Sequence, residues 1–157
     1  MTLTQEQVAT NAETWKHIHR VQGLLLEFVF DLLSRAHRHD QSKLRHPEVQ
    51  AFTEHTANLA TTTYGSEEYN AAKVAMGAAL QHHYANNRHH PEHFENGVND
   101  MNLLDLVEMF ADWKAASERH NDGNVLRSIE LNTGRFRLRP QLVRILENTA
   151  ELFGDHP

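Results

Sequence analysis

Apolar residues in the N-terminal part of the chain recur every three or four positions, which is the spacing of one face of an α-helix. Thr4 and Gln7 precede this pattern with the spacing of a capping box, in which each side chain bonds the other residue's backbone amide. The sequence therefore predicts a first helix that extends to about Ala36. The apolar positions that carry the pattern are Trp15, Val21, Leu24, Leu25, Phe28, Leu32 and Ala36.

Further helices are predicted by cap residues, prolines and apolar periodicity. Proline and polar cap residues mark their starts, and stretches rich in glycine and asparagine mark the turns between them. We expect the 157 residues to form one all-α domain, a compact bundle of about six helices. The later helices are predicted to span about 47–59, 66–83, 102–119, 124–132 and 140–154.

Composition limits the classes of function. The chain has no cysteine, so disulfides and thiolate sites are excluded and any metal would have nitrogen and oxygen ligands. The formal net charge is −6, and without a long basic run this weighs against dedicated nucleic-acid binding or a membrane-surface helix. The longest apolar stretch contains Glu27 and Asp31, and the N-terminus lacks an apolar leader. We expect a soluble, cytoplasmic protein.

A dense histidine cluster points to a metal site. Five of the thirteen histidines lie in the segment Gln81–Phe94, and neutral imidazole is the commonest protein ligand for transition metals. The alternative is a polar surface loop that uses no metal. Carboxylates elsewhere favour the metal, because His39-Asp40 lies upstream and three acidic residues lie downstream.

The three downstream carboxylates share one stripe of the predicted fourth helix. Asp105, Glu108 and Asp112 follow the spacing i, i+3 and i+7. A solvated acidic face is the commoner meaning of such a stripe. Apolar neighbours nevertheless favour partial burial of Asp112, and a buried carboxylate needs a partner. The choice between Asp105 and Asp112 as a late metal ligand stays open, with Asp112 preferred.

Four short blocks occur in a distinctive order along residues 14–120. Together they resemble the HD-type metal-dependent phosphohydrolases, which are all-helical enzymes, so the resemblance implies an HD-domain-like bundle. They are more closely similar to a family of small bacterial and phage proteins with this order of blocks. The blocks are His17-Ile-His-Arg-Val21, His39-Asp40-Gln-Ser42-Lys43, His83-x-x-x-Asn87-x-His89-His90 and Glu108-Met109-x-x-Asp112-Trp113.

The resemblance implies roles for individual residues. Lys43 would neutralise charge on a transferring phosphoryl group, and with Asp40 and Glu108 it would form the catalytic set. Glu48, Asn87 and Glu108 would orient imidazoles or the attacking water. The implied metal ligands are His17, His39, Asp40 and Asp112 for a first ion, with His83, His89 and His90 for a second.

His17 poses a geometric problem for this assignment. In an unbroken helix, the residues between His17 and His39 would separate the two side chains by roughly 33 Å, which is too far for one ion. Either the chain reverses between Gly23 and Ser34, or His17 is not a ligand, or it serves a neighbouring chain's site. We favour a reversal, and the helical wheel indicates that His17 points inward.

The leading functional prediction is a metal-dependent phosphohydrolase that acts on a small phosphorylated molecule, such as a nucleotide. One or two divalent ions are expected, and the donor set suits Zn, Mn, Fe, Ni, Co or Mg. The alternatives are a non-enzymatic binding module with a structural ion and a di-iron oxidase. The second apolar face of the first helix would be covered either in a homodimer or by the rest of its own chain.

Overall fold

The N-terminal part of the chain forms one uninterrupted helix. In the computed structural model, which describes residues 2–61, 67–119 and 123–155, α1 spans Gln5–Arg38. The predicted capping box is confirmed: the Thr4 amide donates to Gln7 Oε1 at 2.9 Å and the Gln7 amide to Thr4 Oγ1 at 3.2 Å. Gly23 does not end the helix, because a single glycine costs only about 1 kcal/mol among good helix formers.

The expected reversal between Gly23 and Ser34 is therefore wrong. The expectation that His17 points inward is also wrong, because this side chain is exposed and α1 contains no buried residue. The rise of α1 from His17 to its end at Arg38 is about 32 Å. Since His39 follows directly, His17 cannot share an ion with His39 of the same chain. That it serves a neighbouring chain, or is no ligand, stays a prediction.

The remaining described residues are also helical, and none of them forms a β-strand, so the predicted all-α class is confirmed. α3 is kinked at Gly77, whose φ of 38° suits a residue without a side chain. Short 3-10 turns occur at Gln41–Leu44, Pro91–His93 and Gly97–Asp100. The further helices are α2 (Glu48–Thr61), α3 (Glu67–Asn86), α4 (Leu103–Ser117), α5 (Val125–Phe136) and α6 (Pro140–Glu151).

The sequence also predicts that Ser66 caps the third helix and that residues 121–123 form a turn. Position 66 lies outside the described residues, and the turn lies partly outside them. No described helix combines the length and hydropathy that crossing a bilayer requires.

The chain divides into two units, residues 1–37 and residues 38–157. The expectation of one domain over all 157 residues stays a prediction. In the second unit, α2 packs on α3 and on the turn at Gln41–Leu44, while α5 packs on both α4 and α6. One hydrophobic cluster of buried residues lies among these last three helices and contains Met109, Phe110, Val125, Ile129, Leu138, Leu146 and Ala150.

The start of α4 is fixed by a capping box. Asn102 Oδ1 accepts hydrogen bonds from the amides of Leu104 and Asp105, both at 2.9 Å. In return, Asp105 Oδ2 accepts from the Asn102 amide at 3.0 Å. These bonds satisfy amides that have no partner inside the helix, and they set where α4 begins.

We expect Asn102→Ala to lower the free energy of unfolding by about 1 kcal/mol, because the two amides lose their acceptor. Urea unfolding followed by circular dichroism measures this change. Asn102→Ser, which retains a capping oxygen, is the matched control and should stay close to wild type. Equal losses in both variants would contradict the capping role.

Candidate metal centre

The first ligand candidates follow directly on the end of α1. Asp40 adopts a left-handed backbone conformation with φ 57°, which aspartate tolerates better than most residues. It precedes the 3-10 turn at Gln41–Leu44, and its carbonyl accepts from the Lys43 amide at 2.9 Å. The same turn brings Lys43 Nζ to 2.5 Å from Asp40 Oδ2. His39, Asp40 and Lys43 are thereby held close together.

The end of α3 and the loop after it supply three imidazoles. His83 lies in the last turns of α3, and His89 and His90 lie in the loop. Asn87 holds the junction, because its amide nitrogen donates to the His83 carbonyl at 2.8 Å and to Ser42 Oγ at 2.9 Å. His83 and His89 each expose 1% of their side chains. The loop therefore turns its histidines inward.

α4 supplies two carboxylates one helical turn apart. Glu108 Oε1 lies 3.0 Å from His39 Nδ1 and 3.2 Å from His89 Nδ1. Asp112 Oδ1 lies 3.6 Å from His39 Nε2. The spacing i, i+4 puts both carboxylates on one face of α4, and that face meets the residues that follow α1.

Nitrogen and oxygen atoms from these segments converge into two overlapping groups that could hold metal ions. Within each group the possible ligand atoms all lie within 4.8 Å of one another. Asp40 and His89 belong to both groups, so the two groups are contiguous. One group consists of Asp40, His83, His89 and His90, and the other of His39, Asp40, His89 and Asp112.

Glu48 forms hydrogen bonds to two histidines of α3, His82 and His83. Its carboxylate is fully buried, and its two oxygens lie 2.7 Å from His82 Nδ1 and 2.9 Å from His83 Nδ1. Ser42 Oγ also donates to Glu48 Oε2, at 3.0 Å. When the Nδ1 hydrogen of His83 bonds Glu48, Nε2 is left as the ligand atom. That atom lies 3.3 Å from Asp40 Oδ1 and 2.9 Å from His90 Nε2.

Burial and neighbouring charges give the imidazoles different protonation states. Burial, followed by the His89 and His83 rings, lowers the pKa of His90 to about 2. Burial also lowers the pKa of His83, and Lys43 acts in the same direction. Both rings are therefore neutral near pH 7, which is the form that binds a metal.

The carboxylates of Glu108 and Asp112 stabilise a positive charge on the neighbouring His39 ring. Hydrogen bonding to Asp112 and then to Glu108 raises the pKa of His39 to about 10, against the opposing effect of burial. For Asp112, burial acts to raise the pKa, but the bond to His39 and the nearby imidazoles outweigh it and hold the pKa at about 2. Asp112 is thus ionised next to a cationic ring.

Within the part of the chain that the structure describes, three buried polar atoms of the cluster have no hydrogen-bond partner: Asp40 Oδ1 and both ring nitrogens of His89. Buried polar groups are nearly always satisfied, so orphaned atoms call for an explanation such as an ion. Since Asp40 and His89 are the two residues shared by both ligand groups, the donor set fits a divalent cation.

Asp105 lies outside both ligand groups. Its fully buried carboxylate accepts from Arg88 Nε at 3.0 Å and from Arg88 Nη2 at 2.8 Å, in addition to its part in the α4 cap. Of the two alternatives, Asp112 is the one that the structure brings to the cluster, while Asp105 secures the histidine loop to the start of α4.

Sequence reasoning missed how the other histidines and Ser42 are used. His82 bonds Glu48, and His93 Nδ1 donates to the Tyr84 carbonyl at 2.9 Å, so neither is among the grouped ligand atoms. Ser42 links Glu48 to Asn87. The available signal for Ser42 was its position inside the His39-to-Lys43 block.

The fold and the cluster define a class: an all-α protein with contiguous histidine and aspartate groups that could hold metal. A family model matches residues 6–152, and its description reads "Family of unknown function (DUF5662)". The chain belongs to this family. No curated protein and no solved structure matches the chain. The description states no activity, so the resemblance to HD-type phosphohydrolases stays a prediction.

We expect the stability of the chelator-treated protein to fall as the pH rises above about 6.5. The folded state raises the pKa of His39 to about 10, so the resulting stabilisation is complete below the unfolded pKa and is lost between those two values. The urea concentration at the midpoint of unfolding, measured from pH 7 to 9, tests this. The midpoint should no longer depend on pH in His39→Gln, whereas His37→Gln, which changes an exposed histidine, should keep the wild-type dependence. An unchanged slope in His39→Gln would contradict the assignment.

Proposed function

We propose that this protein is a metal-dependent phosphohydrolase that acts on a small phosphorylated substrate, with a nucleotide as the first candidate. The observation that carries the proposal is the pair of contiguous ligand groups that share Asp40 and His89. Lys43, bonded to the shared Asp40, adds a cationic group beside them. This combination is what phosphate chemistry requires: ligands for a divalent ion and a positive charge for the phosphoryl oxygens.

Asp40 is the residue between the two ligand groups. Its Oδ1 faces the Nε2 atoms of His83 and His89 at 3.3 and 3.5 Å, whereas Oδ2 faces His39 Nε2 at 3.6 Å. Either one or two ions are compatible with this arrangement. A divalent ion held by these residues would polarise a phosphate oxygen and lower the pKa of a coordinated water.

Two acidic residues keep the ligands in position. Glu108 Oε1 bonds His39 Nδ1 at 3.0 Å, which directs the opposite ring nitrogen of His39 towards Asp40. Glu48 does the same for His83 from a fully buried position. Such outer partners fix the orientation of the ring and typically change metal affinity 10- to 100-fold, by order of magnitude, when removed.

The position and exposure of Lys43 support a role in binding phosphate. Its side chain is 31% exposed, and Nζ lies 5.1 Å from the centre of the Phe52 ring as well as against Asp40. The ammonium is thereby held at the edge of the cluster with access to solvent. It can neutralise charge that develops on the phosphoryl oxygens.

The exposure of the cluster favours an enzyme over a closed structural site. The side chains of His39, Asp40 and Asp112 are 21–29% exposed, while those of His83 and His89 are 1% exposed. One side of the cluster is therefore buried and the other is open to solvent. Catalytic metal sites keep such an open position for water and substrate, whereas structural sites are enclosed by protein ligands.

The first test is metal content and phosphate release for tag-free protein. We expect one or two divalent ions per chain in the wild type and loss of the metal in Asp40→Ala and Asp40→Asn. Phosphate release from a nucleotide panel should fall by at least about 100-fold in both variants. Asp100→Ala, which removes an exposed carboxylate outside the cluster, is the control.

The outcomes separate the alternatives. Metal that is bound stoichiometrically and lost in the Asp40 variants, without any phosphate release over the panel, would indicate a binding module. Phosphate release that persists in chelator-treated, metal-free wild type would contradict the proposed mechanism.

We expect Lys43→Gln to lower kcat by about 100-fold while the metal content stays that of the wild type, because the charge is lost but the ligands remain. Lys43→Arg should retain part of the activity. Steady-state kinetics combined with metal analysis measure both quantities. An unchanged kcat in Lys43→Gln would contradict a role for this ammonium in stabilising the phosphoryl charge and would leave only its bond to Asp40.

A further inference from the structure

Two of the grouped ligand residues, His89 and His90, lie in a loop without regular secondary structure. The loop follows α3, which ends at Asn86. Within it the His90 amide donates to the Asn87 carbonyl at 3.3 Å, which is long for a hydrogen bond of this kind. Helical geometry fixes the direction of His83, but it does not determine where the two loop histidines lie. Their position depends on the side-chain contacts of the loop.

Arg88, which directly precedes the two histidines, ties the loop to the start of α4. Its Nε donates to Asp105 Oδ1 at 3.0 Å, and its Nη2 donates to Asp105 Oδ2 at 2.8 Å. Two such bonds between a planar guanidinium and a carboxylate fix the direction of the pair as well as its distance. The guanidinium carbon also lies 4.8 Å from the centre of the Phe94 ring, which is a favourable cation–π contact.

Asp105 is a firm anchor for this pair. Its side chain is fully buried, and Oδ2 also accepts from the Asn102 amide at 3.0 Å in the capping box of α4. A buried carboxylate is costly without donors, so separation of the guanidinium from it is unfavourable. The same helix carries Glu108 and Asp112. The fork therefore joins the histidine loop to the helix that supplies the carboxylates of the cluster.

A second ion pair of the loop is weaker. Glu92, two residues after His90, pairs with Arg135 of α5 through one guanidinium nitrogen. These side chains are 26% and 35% exposed, and exposed ion pairs contribute little. The Arg88 side chain is itself 46% exposed, but its partner is fully buried and the bond is twofold. The pair of Arg88 with Asp105 is thus the stronger of these two anchors.

From the fork and the burial of its acceptor, we propose that Arg88 is a positioning residue for the candidate metal centre: it holds His89 and His90 at the ligand groups. His89 belongs to both groups and His90 to one of them. Release of the loop would therefore weaken metal binding at either group. The inference rests on the candidate metal centre of the proposed function, but not on phosphate hydrolysis.

The direction of the effect distinguishes positioning from simple electrostatics. A guanidinium near a metal site repels the ion, so loss of its charge alone would raise the metal affinity. Loss of the fork releases the loop and lowers the affinity instead. Arg88→Lys separates the two effects further, because lysine keeps the positive charge but cannot form the planar fork.

Titration of the chelator-treated protein with Co²⁺, followed by the visible absorption of the bound ion, measures this affinity. We expect Arg88→Ala to raise the dissociation constant for Co²⁺ by about 10-fold or more, the scale typical of residues that orient metal ligands. Arg88→Lys should lie between Arg88→Ala and the wild type. Circular dichroism of the ion-free variants verifies that they are folded before the titration.

Asn102→Ala is the matched control, because it weakens the same end of α4 but leaves the fork between Arg88 and Asp105 in place. Its dissociation constant for Co²⁺ should stay close to that of the wild type. Unchanged or tighter Co²⁺ binding in Arg88→Ala, or an equal loss of affinity in Asn102→Ala, would overturn the positioning role and leave the proposed function standing. A wild type that binds no Co²⁺ would overturn both.

Discussion

The hydrogen bonds of Glu48 connect the fold to the candidate metal centre. This carboxylate is fully buried at the start of α2 and bonds imidazoles near the end of α3. A buried charge is tolerated only when it is bonded, so the position of α2 against α3 and the direction of the His83 ring are set together. Ser42 joins the same carboxylate to the chain that follows α1. The orientation of the His83 ring is thus a property of the packing of α2 against α3.

Balance of charge explains why these groups can lie so close together. His83 and His90 remain neutral because burial penalises the imidazolium form. On the other side, Asp112 and Glu108 hold a proton on His39. A divalent ion would supply the positive charge that this proton supplies in the ion-free protein. Proton and metal are therefore expected to compete for the same carboxylates.

Local chemistry made much of the fold and of the candidate site predictable from sequence. The capping box of Thr4 and Gln7 depends on residues three positions apart and was found as expected. The fourth helix, predicted to begin at about residue 102, is capped by Asn102. Glu108 and Asp112 on one face of α4 follow from helical spacing alone. The sequence did not reveal which face of a helix packs against another part of the protein, because periodicity identifies an apolar face but not the element that covers it. This is why His17 was taken to point inward. The break in α1 was expected for another reason: the resemblance made His17 and His39 ligands of one ion, and an unbroken helix holds them too far apart.

α4 serves the core and the candidate site at once. Met109 and Phe110 are buried among α5 and α6, while Glu108 and Asp112, on the same turns, face the histidines. A small rotation of this helix would move both sets of side chains together, since a well-packed core leaves little room for independent adjustment. A substitution that alters the packing of a core residue such as Ile129 would then also shift Glu108 and Asp112 relative to the histidines. A screen for lost metal binding would return core residues as well as ligands, so distance from the cluster is a poor guide to which residues matter for it.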